Sequence, residues 1–86
     1  MVKVGVCGYG VIGQRLADGV ALQKDMELVG VADVAPTLAI RALKEKGMPY
    51  ALYLASEENR AKFEQLKIPV SGTLEELVRK CDIILD

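Results

Sequence analysis

The chain has 86 residues, about half of them hydrophobic, and a net charge of −1. That length makes one small domain with a core, and the scattered basic residues exclude a nucleic-acid face or a polybasic membrane patch. There is no histidine, and Cys7 and Cys81 lie far apart in the sequence, which excludes a histidine general base, a Cys–His pair and a zinc site within these residues. No apolar run approaches the roughly 18 residues of a membrane helix. The N-terminus enters a strand directly after Met1, without the basic start and long apolar run of a signal peptide, so the expected location is cytoplasmic.

The first element is "VKVGVC" (2–7), β-branched and nearly all apolar, as expected of a strand covered on both faces. Gly8 to Gly13 form a turn into a helix whose Ile12, Leu16 and Val20 recur every four residues and predict one buried face. "MELVGVA" (26–32) reads as a second buried strand. Pro36 suits the first turn of a helix with an apolar stripe of Leu38, Ala39, Ala42 and Leu43, and Gly47 stands at its C-terminal cap. "YALYLA" (50–55) is the third strand candidate.

Ser56 is the expected N-cap of the next helix, with Glu57 and Glu58 near its positive dipole end and Phe63 and Leu66 fixing it to the core. The extended piece "IPVSG" (68–72) leads to Thr73, which forms a capping box with Glu76. Leu74, Leu77, Val78 and Cys81 mark the inner face of that last helix. "DIILD" (82–86) reads as a final buried strand, and a strand in that position implies that a ligand loop follows it. Strands alternating with helices predict an α/β fold: residues 1–86 as the first part of a Rossmann-type, three-layer parallel sheet.

The chemistry concentrates in "CGYGVIG". A GxGxxG motif alone says little, but this one follows a strand, opens a helix, and is answered by Asp33, twenty residues after Gly13 at the end of the next strand. Gly8 makes the tight turn, Gly10 lacks the Cβ that would strike a pyrophosphate, and Gly13 lets the helix approach the strand. The helix N-terminus offers N–H groups around Tyr9, Val11 and Ile12 to the phosphates. Asp33 accepts hydrogen bonds from the adenosine ribose hydroxyls and repels a 2′-phosphate, which favours NAD over NADP. The competing interpretations are a ligand-free turn and a plain strand-ending aspartate. Cys7 and Cys81 read as small packing residues rather than nucleophiles. Arg15 reads equally as a phosphate contact or a surface cation, Arg41 as a surface cation, and Tyr50 and Tyr53 as packing.

"VGVCGYGVIGQRLADGVALQKDMELVGVAD" and "KIPVSGTLEELVRKCDIILD" resemble the opening of the archaeal-type (class II) glyceraldehyde-3-phosphate dehydrogenases over essentially the whole chain. The resemblance implies the NAD(P)-binding part of a homotetrameric enzyme that oxidises glyceraldehyde 3-phosphate with phosphate to 1,3-bisphosphoglycerate through a cysteine thiolate. It places cofactor contacts on the glycine turn, Val11 and Ile12 included, and assigns no catalytic residue and no metal ligand to this chain. The sequence departs from the family pattern at Cys7, at Gln14 and at "ADVAPT" (32–37), where Asp33 replaces residues suited to a 2′-phosphate. The alternatives are another oxidoreductase with the same opening, of the aspartate-semialdehyde or homoserine dehydrogenase kind, and a stand-alone nucleotide-binding module.

Overall fold

The computed structural model describes residues 1–34, 38–47 and 50–86. Its strands are β1 (Val2–Cys7), β2 (Met26–Asp33), β3 (Ala51–Leu54), β4 (Gly72–Thr73) and β5 (Ile83–Leu85). Its α-helices are α1 (Val11–Ala21), α2 (Leu38–Glu45), α3 (Arg60–Gln65) and α4 (Leu74–Lys80), with a 3-10 turn at Glu57–Asn59 ahead of α3. The strands form one parallel sheet in the order β4-β3-β2-β1-β5. Helices cover both faces, so the expected three-layer α/β architecture is present. No helix among the described residues is long and apolar enough to cross a membrane.

Side chains alternate between the two faces. Val6, Val31, Leu52 and Leu54 point to the larger core, where Ala17 of α1, Ile40 and Leu43 of α2, Phe63 of α3 and Ile68 close over them. Ala32, Tyr53 and Ile84 point to the other face, where α4 packs Leu74, Leu77 and Cys81 against them. This alternation survives only because β2 carries a bulge. Val4 pairs with Leu28, but Gly5 pairs with Gly30, leaving Val29 as an extra residue. Without it, everything from Gly30 onward would face the wrong layer.

Several side chains differ from the pattern expected of them. In α1 the buried residues are Gly13, Ala17 and Val20, with Leu16 half-buried, while Ile12 is 74% exposed. Ile12 stands in the first helical turn, at the mouth of the cleft beyond the sheet's end, where no layer covers it. In α2 the inward residues are Ile40 and Leu43, and Ala42 faces outward. The expectations for Pro36 and for the side chains of Leu38 and Ala39 lie outside the described residues. In α4, Val78 is 49% exposed, because Leu74, Leu77 and Cys81 already fill the contact with the sheet. Leu66 is also partly exposed, leaving Phe63 to anchor α3. The last strand is half-covered rather than buried: β5 is the sheet's edge among the described residues, and Ile83 is 47% exposed.

Candidate dinucleotide site

The strand order reverses beside β1. Strands β2, β3 and β4 follow one another away from it on one side, and β5 returns to its other side. In parallel sheets a ligand crevice forms beyond the carboxyl ends of the strands at such a reversal. Here that position holds an open cleft of about 510 Å³, lined by Cys7, Gly8, Gly10, Ile12, Gly13, Leu16 and Asp86. The glycine turn forms its floor. A groove of similar size, about 500 Å³, runs beside α4 between Ala55, Leu74, Glu75, Val78 and Arg79, away from the reversal and lined by side chains of both charges.

The three glycines are different in kind. Gly8 has φ +88°, a left-handed backbone that side-chain-bearing residues rarely adopt. Gly13 is pressed onto the turn, since a Cβ there would lie 1.9 Å from the Gly8 carbonyl oxygen. Gly10 has ordinary dihedrals as the N-cap of α1, and a Cβ there would meet nothing within 4 Å. The protein itself therefore gives no packing reason for Gly10. What the missing Cβ leaves is open space in front of a helix N-terminus.

That N-terminus lacks the usual ornaments: no side chain caps it and no acidic residue stands in its first turn. The first i→i−4 bond runs from the Gln14 N–H to the Gly10 carbonyl at 2.9 Å, so the N–H groups of Val11, Ile12 and Gly13 precede the helical ladder. Together with the dipole they form an anion-binding end.

Asp33 closes β2 at the same edge. Its Oδ2 accepts the Tyr9 N–H at 2.9 Å and its Oδ1 accepts the Val34 N–H at 2.7 Å. The structure thus brings Gly8, Tyr9, Gly10, Val11, Ile12, Gly13 and Asp33 into one edge of the molecule. It differs from the expectation at Tyr9, whose N–H faces Asp33 rather than the cleft and whose ring is buried in the core at 5% exposure. The N–H groups left ahead of the helical ladder, the candidate anion donors, are those of Val11, Ile12 and Gly13.

Cys7 lines the cleft instead of being fully packed, which the sequence did not suggest. Burial pushes its thiol up, and the Asp86 and Asp33 carboxylates push it further, so it stays protonated and is no activated nucleophile. Asp86 is the other residue that sequence reasoning missed. The signal was the topology: a last strand, β5, that returns beside the first brings its carboxyl end to the glycine turn. No group of three metal-ligating side chains exists among the described residues.

No family model matches the chain. Curated proteins do. It is 46% identical to the glyceraldehyde-3-phosphate dehydrogenase of Methanobacterium formicicum over all 86 residues, 100% of this chain and 25% of that protein. It is 47% identical over 85 residues to the protein of the same name from Pyrococcus furiosus, 99% of this chain and 25% of that one. The Methanothermobacter thermautotrophicus protein of that name is 43% identical over 86 residues, with the same 25% share. The chain belongs to the glyceraldehyde-3-phosphate dehydrogenase family. It spans about a quarter of the length of the curated relatives it matches. The matched region spans every element of the sheet.

Proposed function

We propose that this chain holds a nicotinamide dinucleotide for a phosphorylating glyceraldehyde-3-phosphate dehydrogenase, and that it takes NAD in preference to NADP. The observation that carries the reading is Gly10: a glycine with ordinary dihedrals and empty space where its Cβ would be, at the uncapped N-terminus of α1. A pyrophosphate seated there meets the N–H groups of Val11, Ile12 and Gly13, and the adenosine ribose reaches Asp33. The bound nicotinamide would accept hydride from the substrate. The chain's own residues bind and orient the cofactor, while the reacting cysteine and the aldehyde pocket belong to other parts of the enzyme. By the same family reading the intact enzyme is a homotetramer.

The test is the ratio of NAD to NADP dissociation constants in the intact enzyme, for wild type and Asp33→Asn. A hydrogen bond to a charged group is worth roughly 1.5–3 kcal/mol. Loss of the charge should weaken NAD binding by about ten- to a hundredfold, at 1.4 kcal/mol per tenfold. NADP binding should hold or improve, because a like charge has left the 2′-phosphate position. Wild type that prefers NADP, or a ratio that does not move, defeats the NAD assignment.

A further inference from the structure

We propose that Asp33 is also a positioning residue for the glycine turn, a strut between the end of β2 and the peptide of Tyr9. Only its consequence for cofactor choice rests on the dinucleotide reading above. The ladder between β1 and β2 runs past the end of the strand. The Gly8 N–H donates to the Ala32 carbonyl at 2.7 Å, continuing that ladder one residue beyond β1. Successive N–H groups of an extended strand point to opposite sides, so a strand continuing past Gly8 would aim the next one away from β2. The left-handed Gly8 breaks the alternation, and the Tyr9 N–H turns back to the β2 side. No carbonyl of the ladder serves it there. The Asp33 carboxylate does, at 2.9 Å.

The strut is fixed at both ends. Oδ1 accepts the Val34 N–H at 2.7 Å, which sets the carboxylate's rotation, and the Tyr9 ring lies in the core, which fixes the peptide from its other side. Each carboxylate oxygen has a second lone pair, so ribose hydroxyls are accepted without breaking either bond. Removing the side chain therefore does two things: it deletes a ribose acceptor and it releases the Tyr9 peptide, on which the placing of the α1 N-terminus depends. Truncation and charge removal then have different consequences. Asp33→Asn keeps an oxygen for the Tyr9 N–H, but it loses the charge and sets an amide NH2, a donor, where Oδ1 accepted the Val34 N–H. Asp33→Ala loses the strut, so it weakens both dinucleotides.

The first measurement needs no nucleotide: amide hydrogen exchange of Tyr9 in the ligand-free protein. Exchange at Tyr9 should be at least about tenfold faster in Asp33→Ala than in wild type, and within a few-fold of wild type in Asp33→Asn, with Val31 in mid-strand unchanged in both. Unchanged Tyr9 exchange in Asp33→Ala overturns the proposal. If that variant does not fold, wild type decides: the Tyr9 amide, although no ladder carbonyl accepts it, should exchange slowly like a hydrogen-bonded amide, and exchange as fast as an open loop overturns the strut. The second measurement is the pair of dissociation constants in the intact enzyme. Loss of both NAD and NADP in Asp33→Ala, against loss of NAD alone in Asp33→Asn, supports the positioning role. NADP binding equal in the two variants overturns it. Wild type that binds neither nucleotide defeats the dinucleotide reading, and the exchange rates still decide the strut.

Discussion

Single residues in the turn separate conformation, packing and ligand space, and substitution should separate them too. Gly8→Ala puts a Cβ in open space but forces a left-handed backbone, at a cost of about 1–2 kcal/mol. Gly13→Ala drives a Cβ into the Gly8 carbonyl, and the expected loss is larger, about 3 kcal/mol, the upper part of the overpacking range. Gly10→Val should leave the denaturation midpoint close to wild type and abolish NAD binding. Denaturant melts and NAD titration of the three variants check the order; a Gly10→Val enzyme that binds NAD normally removes the ligand explanation for Gly10. Cys7 offers a second check. With its pKa raised by burial and by Asp86 and Asp33, its thiolate forms only above the ordinary thiol range. Iodoacetamide should label it slowly at neutral pH and progressively faster as the pH rises above that range, and fast labelling at pH 7 contradicts that environment.

At the scale of elements, helix α4 starts on a contact between two turns. The Thr73 N–H donates to Glu76 Oε1 at 3.3 Å, the glutamate half of the expected capping box. The same carboxylate lies over Gly72, where a Cβ would come within 2.7 Å of Oε2. Glu76→Ala should cost about 0.5–1 kcal/mol. Gly72→Ala should cost a similar amount by displacing Glu76, and the double variant should cost little more than either alone. Additive losses in equilibrium unfolding would show that the two residues do not share one contact. Much at this scale was legible in the sequence. Strands buried on both faces write themselves as apolar runs, and Thr73 with Glu76 or Gly47 after α2 write caps. The bulge at Val29 was not legible, because a strand apolar on both faces has no alternation for an extra residue to interrupt. Helical period marked Ile12 and Val78 as inward, yet period cannot say where the sheet ends beneath a helix. The Asp33–Tyr9 bond was invisible for a different reason: it depends on the direction of one peptide after a left-handed glycine. The glycine turn and Asp33 themselves were visible from spacing alone.

For the molecule as a whole, the residues lining the cleft make no reacting set. They are a protonated Cys7, three glycines, the apolar Ile12 and Leu16 and one carboxylate, Asp86, and the sequence has no histidine. The 86-residue chain mixed with glyceraldehyde 3-phosphate, phosphate and NAD should produce no reduced cofactor above background, followed by absorbance of the reduced nicotinamide. Turnover abolished by Cys7→Ser would overturn both that expectation and the assignment of Cys7 as inert.

Strand β1 also has a history during synthesis. β1 leaves the ribosome well ahead of one of its two neighbours, β5: Val4 pairs with Ile83, and Lys3 exchanges bonds with Asp82, 79 positions away. At roughly 5–20 residues per second, translation takes about 4–16 s to supply that neighbour. Throughout that interval the nascent sheet can hold only strands from its β1–β2–β3–β4 side, with the raw flank of β1 open to nascent-chain binders. The cleft beside the glycine turn is lined on that flank by Asp86, so its wall is incomplete until β5 has been translated.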